Sequence, residues 1–70
     1  MILLYSMDNC PWCTILKKRL DFAKIEYTEV KDEAIILEKD FLTVPQLELP
    51  TGEIFDYQAA ITWVNNYISN

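Results

Sequence analysis

The CPWC segment at positions 10–13 is the feature of this sequence that most restricts its fold. It follows a short apolar run, Ile2–Tyr5, which is typical of a buried strand. Proline suits the first position of a helix, because its missing N–H would have no partner within the helix there. The pattern therefore predicts a strand and then a helix from about Pro11 to Ala23. The apolar face of that helix is expected to consist of Cys13, Leu16, Leu20 and Ala23.

The rest of the chain predicts one further strand, two further helices and a hairpin. Ile25–Val30 alternates and is rich in residues that favour strands. Asp32 can cap a short helix, and Pro50–Gly52 is typical of a hairpin turn between the strands Gln46–Leu49 and Glu53–Phe55. A last helix is expected from about Tyr57 to Ile68. The inward faces are expected at Ala34, Leu37 and Phe41 in the second helix, and at Ala60, Ile61, Val64, Tyr67 and Ile68 in the third, with Trp63 at one edge.

The element order is therefore β-α-β-α-β-β-α. A β-α-β start implies a parallel strand pair with a right-handed crossover, and the hairpin adds an antiparallel pair. We expect an α/β fold, in which one four-stranded mixed sheet is flanked by three helices on both faces. Because 70 residues with 51% apolar side chains can form only one small core, a single domain is expected over residues 1–70.

Charge and composition exclude several classes of function. The formal net charge is −5, whereas a nucleic-acid binder normally presents a basic face. The only basic cluster, Lys17–Arg19, is more typical of a solvated helix face than of a phosphate site. No apolar run approaches the roughly 20 residues that span a bilayer, and no secretory signal is evident. We expect a soluble, cytoplasmic monomer that binds neither nucleic acid nor a membrane.

Missing residue types narrow the chemistry further. Without histidine the chain cannot form a Ser-His-Asp or Cys-His arrangement, and its single glycine, Gly52, excludes a glycine-rich phosphate loop. Two cysteines cannot complete a tetrahedral zinc site within one chain, so no metal and no bound cofactor are expected. The remaining candidates for chemistry are thiols, carboxylates and amines.

The two thiols are not equivalent. Cys10 is expected at the helix N-cap, where unpaired N–H groups and the positive end of the helix dipole should lower its pKa below the free value of about 8.5. A carboxylate at Asp8 opposes this effect unless it points into solvent. Cys13 belongs to the apolar face and should stay protonated until it is needed. This asymmetry favours Cys10 as nucleophile and Cys13 as resolving thiol.

Other interpretations of the pair have less support. A structural disulfide is unusual in a reducing compartment, and it would close too short a loop to stabilise the fold much. Ordinary packing accounts for Cys13 but not for Cys10 at an N-cap, and metal binding would require a second chain. Thr43–Pro45, which directly precedes a predicted strand, is by itself only a turn signal.

Together these segments resemble the glutaredoxins of the thioredoxin superfamily, in particular short members encoded by phages. The resemblance rests on Tyr5–Ser6 followed by the CPWC segment, and on Thr43–Gln46, and it covers essentially the whole chain. It implies a thioredoxin-like fold in which Pro45 is a cis-proline facing the cysteines. Val44 would pair through its backbone with an extended substrate. The resemblance also implies an abbreviated second helix and no additional helices at either end.

The same resemblance implies the reaction. Cys10 would attack a disulfide, Cys13 would resolve the mixed disulfide, and glutathione would act as reducing co-substrate. Trp12 stands where the family commonly has tyrosine and would form an aromatic wall. The substrate-binding residues expected on this basis are Pro11, Trp12, Thr43, Val44, Pro45, Tyr57 and Gln58.

The glutathione contacts of the family are poorly matched. Met7 stands where a lysine is common, and Phe41 and Leu42 lie where a basic or amide residue often occurs. Before the last helix, the usual glycine pair and acidic residues are replaced by Phe55, Asp56, Gln58 and Ala59. The amides at the helix start near Tyr57 and Gln58 would still be able to meet one carboxylate.

The sequence thus predicts an enzyme, a dithiol oxidoreductase that reduces protein disulfides and glutathione mixed disulfides. One alternative is a thioredoxin-like redoxin that donates electrons to ribonucleotide reductase. A second, non-enzymatic alternative is a dimer bridged by an iron–sulfur cluster through Cys10, against which the rigid ring of Pro11 argues. A third is an interaction module with an inert cysteine pair.

Overall fold

The computed structural model describes residues 1–69, and its element order is the predicted one. All three helices and all four strands lie where the sequence pattern placed them, although the strands are shorter than expected. The bounds are β1 Leu3–Tyr5, α1 Pro11–Phe22, β2 Thr28–Val30, α2 Glu33–Glu38, β3 Gln46–Glu48, β4 Ile54–Phe55 and α3 Tyr57–Ser69.

The strands form one mixed sheet in the order β2-β1-β3-β4. β1 pairs in parallel with β2, so that Leu3 lies opposite Thr28, and it pairs antiparallel with β3, so that Leu4 lies opposite Leu47. β3 and β4 form the predicted hairpin. The turn of this hairpin places Gly52 at a φ of 93°, a conformation that glycine adopts without the steric cost that other residues incur. The Gly52 N–H donates to the Leu49 carbonyl at 2.9 Å.

The main core lies on the face of the sheet that α1 and α3 cover. Seven buried side chains form it: Leu4, Leu16, Leu20, Ile25, Leu47, Ala60 and Val64. Successive strand residues point to opposite faces, so Tyr5 projects to the other side of the sheet from Leu4. There its ring meets Phe41 edge-on at 5.0 Å, and its hydroxyl donates to Glu48 at 2.8 Å. The first helix is therefore placed by the same core that orders the central strands.

The predicted inward face of α2 is wrong. Ile36 is the buried residue of this helix, whereas Leu37 is 65% exposed and Ala34 is exposed as well. Asp32 caps the helix as expected, through the N–H groups of Ala34 and Ile35, but the helix has only six residues. In so short a helix, the burial of one side chain decides which face is inward. Phe41 lies beyond the end of the helix but is partly buried against Tyr5, so its predicted inward position is correct.

The last turn of α3 also differs from the prediction. Ala60 and Val64 are buried and Ile61 is partly buried, but Tyr67 is 54% exposed and Ile68 is 40% exposed. A helix of 13 residues is about 20 Å long, while a three-residue strand spans only about 10 Å. The C-terminal turn of α3 consequently extends beyond the surface that the short strands offer. Among residues 1–69, no helix combines the length and the apolar character that crossing a membrane requires.

Candidate active site

Cys10 occupies the N-cap of α1, as the sequence predicted. Its backbone is extended (φ −114°, ψ 100°), and Pro11 takes the first helical position. The preceding residue, Asn9, has a φ of 59°, in the left-handed region that asparagine tolerates better than most residues. This kink turns the chain from the end of β1 into the helix. The Cys13 N–H donates to Cys10 Sγ at 3.1 Å, so one of the unpaired amides at the helix start is directed at the sulfur.

The two cysteines form a disulfide, with their Cα atoms 5.2 Å apart. Cys13 is 1% exposed and packs on the inner face of α1 with Leu16 and Leu20, whereas Cys10 is only half-buried. An external reagent therefore meets Cys10 first. The spatial asymmetry expected from the sequence is present.

The segment before β3 lies beside this disulfide. The Val44–Pro45 peptide bond is cis, as the family resemblance implied, and the Pro45 ring is buried. The Val44 carbonyl oxygen lies 3.9 Å from Cys10 Sγ. Gln46 donates from Nε2 to the Thr43 carbonyl oxygen at 3.2 Å and to its hydroxyl at 3.3 Å, which holds the start of the segment in place.

A groove of about 340 Å³ lies along the cis-proline segment, and Val44, whose carbonyl is next to Cys10, forms part of its wall. Trp12 and Tyr57 form an aromatic wall, with their ring centroids 4.9 Å apart. Six of the seven predicted substrate-binding residues line the groove, whereas Pro11, which is exposed at the helix start, does not. Asp56 also lines the groove, although from the sequence it was noted only as standing where the family has a glycine. The lining consists of Trp12, Thr43, Val44, Pro45, Asp56, Tyr57 and Gln58.

Asp8, the acidic residue closest in sequence to Cys10, points into solvent. The Asp8 side chain is 82% exposed and forms an ion pair with Lys31 at 3.1 Å. This ion pair raises the pKa of Lys31 and keeps it charged. The Asp8 carboxylate thus lies in solvent, paired with a cation.

A polar cluster at the carboxyl end of β1 was not anticipated from the sequence. Ser6 is fully buried and its hydroxyl donates to Glu29, which also accepts from Lys17 at 2.9 Å. These two hydrogen bonds, to Ser6 first and Lys17 second, lower the pKa of Glu29 despite the burial that opposes them. The alternation of β2 indicated a wetter face, but nothing local pointed to a partner on α1, one turn beyond Cys13.

A larger open groove of about 1000 Å³ contains none of the predicted site residues. It lies along β2 and the end of α1, with Met1, Lys24, Tyr27 and Pro50 in its wall. Within residues 1–69, no cluster of three or more histidine, cysteine, aspartate or glutamate side chains is arranged to hold a metal ion.

The fold around this site is shared with known structures. The thioredoxin-like protein BC3987 superposes with a TM-score of 0.75 at 24% identity, over 96% of this chain and 99% of that protein. The chain has a thioredoxin-like fold. The β1–CPWC–α1 arrangement and the cis-proline segment beside it agree with what the sequence led us to expect.

Two glutathione transferases contain the same thioredoxin-like fold within longer chains. One, from Methylobacillus flagellatus with GSH bound, has a TM-score of 0.77 and 17% identity over 93% of this chain and 36% of its own. The other, the trimeric TDR1 of Leishmania, has a TM-score of 0.76 and 22% identity over 93% of this chain and 16% of its own. This chain thus spans about a third or less of either transferase. No protein-family model and no curated protein sequence matches the present chain.

Proposed function

We propose that the chain is a dithiol thiol–disulfide oxidoreductase of the glutaredoxin type, which reduces protein disulfides and glutathione mixed disulfides. The observation that carries this proposal is the difference between the two sulfurs. Cys10 is only partly buried and its Sγ accepts an N–H at a helix start, whereas Cys13, one turn further along the helix, is 1% exposed. The thioredoxin-like fold supports a redox or glutathione-related role in general.

The first step uses Cys10. In the dithiol form, the Cys13 N–H and the positive end of α1 favour negative charge on Cys10 Sγ. The thiolate is the nucleophile of disulfide exchange. It attacks one sulfur of the substrate disulfide, so that a protein–substrate mixed disulfide forms as the substrate S–S bond breaks and the other substrate sulfur leaves as a thiol.

The second step uses Cys13. Its sulfur lies one helical turn from Cys10 and can form the intramolecular disulfide without unwinding α1, as the Cα separation of 5.2 Å illustrates. When Cys13 attacks Cys10 Sγ, the mixed disulfide breaks and the remaining substrate sulfur leaves as a thiol. Burial protects Cys13 from external disulfides and reserves it for this intramolecular step.

The groove supplies a place for the substrate chain. Within residues 1–69, neither the N–H nor the carbonyl of Val44 takes part in a backbone hydrogen bond, although the carbonyl lies beside Cys10. An extended substrate can therefore pair with Val44 in the manner of an added strand. Trp12 and Tyr57 would contact its side chains from the opposite wall, and Thr43 and Gln58 would offer polar groups.

Glutathione is proposed as the reductant that restores the dithiol. One glutathione thiolate attacks Cys10 Sγ and frees Cys13 as a thiol, and a second releases glutathione disulfide, so that two electrons pass to the protein. This cycle requires a reducing compartment such as the cytoplasm. The fold likeness to a transferase solved with GSH bound lends it support.

A thioredoxin-like redoxin, regenerated by a flavin-dependent reductase, is the second candidate. It is favoured by one observation: within the described part of the chain, the groove is lined by the carboxylate of Asp56 and by no lysine or arginine. Glutathione's carboxylates would have no cationic partner in that lining. A reductase that turns over the protein in the absence of glutathione would favour this candidate, and ribonucleotide reductase would then be a suitable electron acceptor to test.

The proposed function is tested by replacing each cysteine with serine. We expect Cys10→Ser to abolish reduction of both insulin disulfides and a glutathione mixed disulfide. Cys13→Ser is expected to stop the first reaction and to retain the second, because deglutathionylation needs only the nucleophile. Lys18→Ser, an exposed change on the same helix, is the control and should retain both. Activity that survives in Cys10→Ser would refute the proposal.

A further inference from the structure

A fixed negative charge lies in the groove beside the cysteine pair. Asp56 is exposed and lines the groove, and it directly precedes α3. Its Oδ1 accepts the N–H of Ala59 at 2.9 Å, and its carbonyl oxygen accepts the N–H of Ala60 at 2.8 Å. The carboxylate is therefore held in position as the N-cap of the helix, rather than moving freely in solvent.

Two aromatic rings line the same groove as this carboxylate. Tyr57 is the next residue, and its ring lies 4.9 Å from that of Trp12, which is 56% exposed. The face of an aromatic ring attracts an ammonium or guanidinium group, and the aliphatic stem of lysine or arginine packs well on such rings. An aromatic wall that ends at a carboxylate suits a long cationic side chain.

The same arrangement disfavours an anionic ligand. The Ala59 N–H, one of the amides that a helix start would offer to an incoming carboxylate, already binds Asp56. A glutathione carboxylate must compete with that internal hydrogen bond and approach a like charge. The net charge of −5 acts in the same direction at longer range.

From these contacts we infer that the groove selects disulfides whose cysteine is flanked by lysine or arginine, and that Asp56 is the residue that determines this specificity. The inference rests on the redox function proposed above and narrows its substrate class to cationic polypeptide disulfides in preference to glutathione disulfide. The reaction is unchanged: the protein dithiol becomes a disulfide, and the peptide disulfide becomes two thiols that carry the two protons.

The test compares symmetric disulfides of the tripeptide amides Lys-Cys-Lys, Ala-Cys-Ala and Glu-Cys-Glu. The reduced protein is mixed with each at low ionic strength, and the second-order rate constant is obtained from acid-quenched samples separated by chromatography. With the wild type we expect the Lys peptide to react about twofold to fivefold faster than the Ala peptide, and the Glu peptide to react slowest. Because this is a ratio of rates, it does not depend on how much of a variant is folded.

Asp56→Asn removes the charge and retains the cap, since asparagine caps a helix about as well as aspartate. We expect its Lys-to-Ala ratio to fall towards one, leaving only the small preference that the overall negative charge of the protein supports. Asp32→Asn is the matched control: Asp32 caps α2 through the same type of contact and is exposed, but it does not line the groove. Its ratio should remain that of the wild type.

The outcomes separate this inference from the proposed function. A wild-type ratio of one, a ratio that survives in Asp56→Asn, or an equal fall in Asp32→Asn would overturn the specificity while leaving the oxidoreductase intact. If the wild type reduced none of the three peptides, the proposed function itself would fail. Loss of the ratio as sodium chloride is raised would add support, because contacts between exposed charges are screened by salt.

Discussion

Replacement of Glu29 by glutamine should lower stability by an amount that depends on pH. Glu29 accepts hydrogen bonds from the fully buried hydroxyl of Ser6 and from Lys17. A hydrogen bond to a charged group contributes about 1.5–3 kcal/mol, compared with about 0.5–1.5 kcal/mol for a neutral one. The ion pair, whose side chains are 28% and 27% exposed, adds at most about 1 kcal/mol.

We therefore expect Glu29→Gln to lose about 2 kcal/mol at neutral pH. A chain of this length has a free energy of unfolding of about 4–10 kcal/mol, so the loss is a large fraction of the total. It corresponds to a fall in Tm of about 8–16 °C. Urea unfolding of the oxidised protein, followed by tryptophan fluorescence, measures it directly.

The pH dependence identifies the cause. The hydrogen bonds from Ser6 and Lys17 lower the pKa of Glu29 from its ordinary value of 4.5. A carboxyl group with a lowered folded-state pKa stabilises the fold above its unfolded-state pKa, and this stabilisation is lost as the pH falls through the folded-state value. The difference between wild type and Glu29→Gln should be complete at neutral pH and should shrink progressively below 4.5.

An exposed glutamate provides the control for this experiment. Glu53 lies in the hairpin turn, where its carboxylate accepts a hydrogen bond from the Thr51 hydroxyl, and Glu53→Gln should change stability by less than about 0.5 kcal/mol. Our account of the cluster is refuted if Glu29→Gln unfolds at the wild-type urea midpoint at neutral pH. It is equally refuted if the difference stays constant down to about pH 3, well below the ordinary carboxyl pKa.

Two further predictions concern the nucleophile and the core. In the reduced protein, iodoacetamide should label Cys10 well before Cys13, which is 1% exposed. The pKa obtained from the pH dependence of the labelling rate at Cys10 should lie below that of a free thiol. Equal labelling of the two cysteines, measured by mass spectrometry, would contradict the assignment of roles. Leu47→Ala should lower the free energy of unfolding by about 2–5 kcal/mol, because Leu47 is fully buried at the centre of the sheet. Ile54→Ala, at a side chain that is 43% exposed, should cost clearly less, and similar losses from both variants would argue against this core.

Features that depend on a few neighbouring residues were predicted correctly. The start of α1, the placement of Cys10 at its cap and the turn at Gly52 agree with the structure. Each is governed by local chemistry: a proline without an N–H, a sulfur within reach of the Cys13 amide, or a residue without a Cβ at positive φ. The cis bond before Pro45 came from family resemblance, since nothing local indicated it.

Features that depend on distant surfaces were predicted less well. Periodicity assigned Leu37 to the inside of α2 and Tyr67 to the inside of α3, and both are exposed. Periodicity identifies which side chains share a helix face, but not whether a partner surface extends far enough to cover that face. The position of Asp56 in the groove was not predicted, because Trp12 and Val44, which line the same groove, come from distant parts of the chain.

The amino-acid sequence by itself determined the order of the elements, the helix that presents the cysteines and the chemistry available to them, because each follows from short-range spacing and residue type. Only the tertiary structure decided that Val44 lies beside Cys10 and that Glu29 accepts hydrogen bonds from both Ser6 and Lys17. It also decided that the groove carries the negative charge of Asp56. The contact between Cys10 and Val44 joins residues 34 positions apart in the sequence. The geometry of such long-range contacts is set by the packing of the sheet and its helices rather than by local conformational preference.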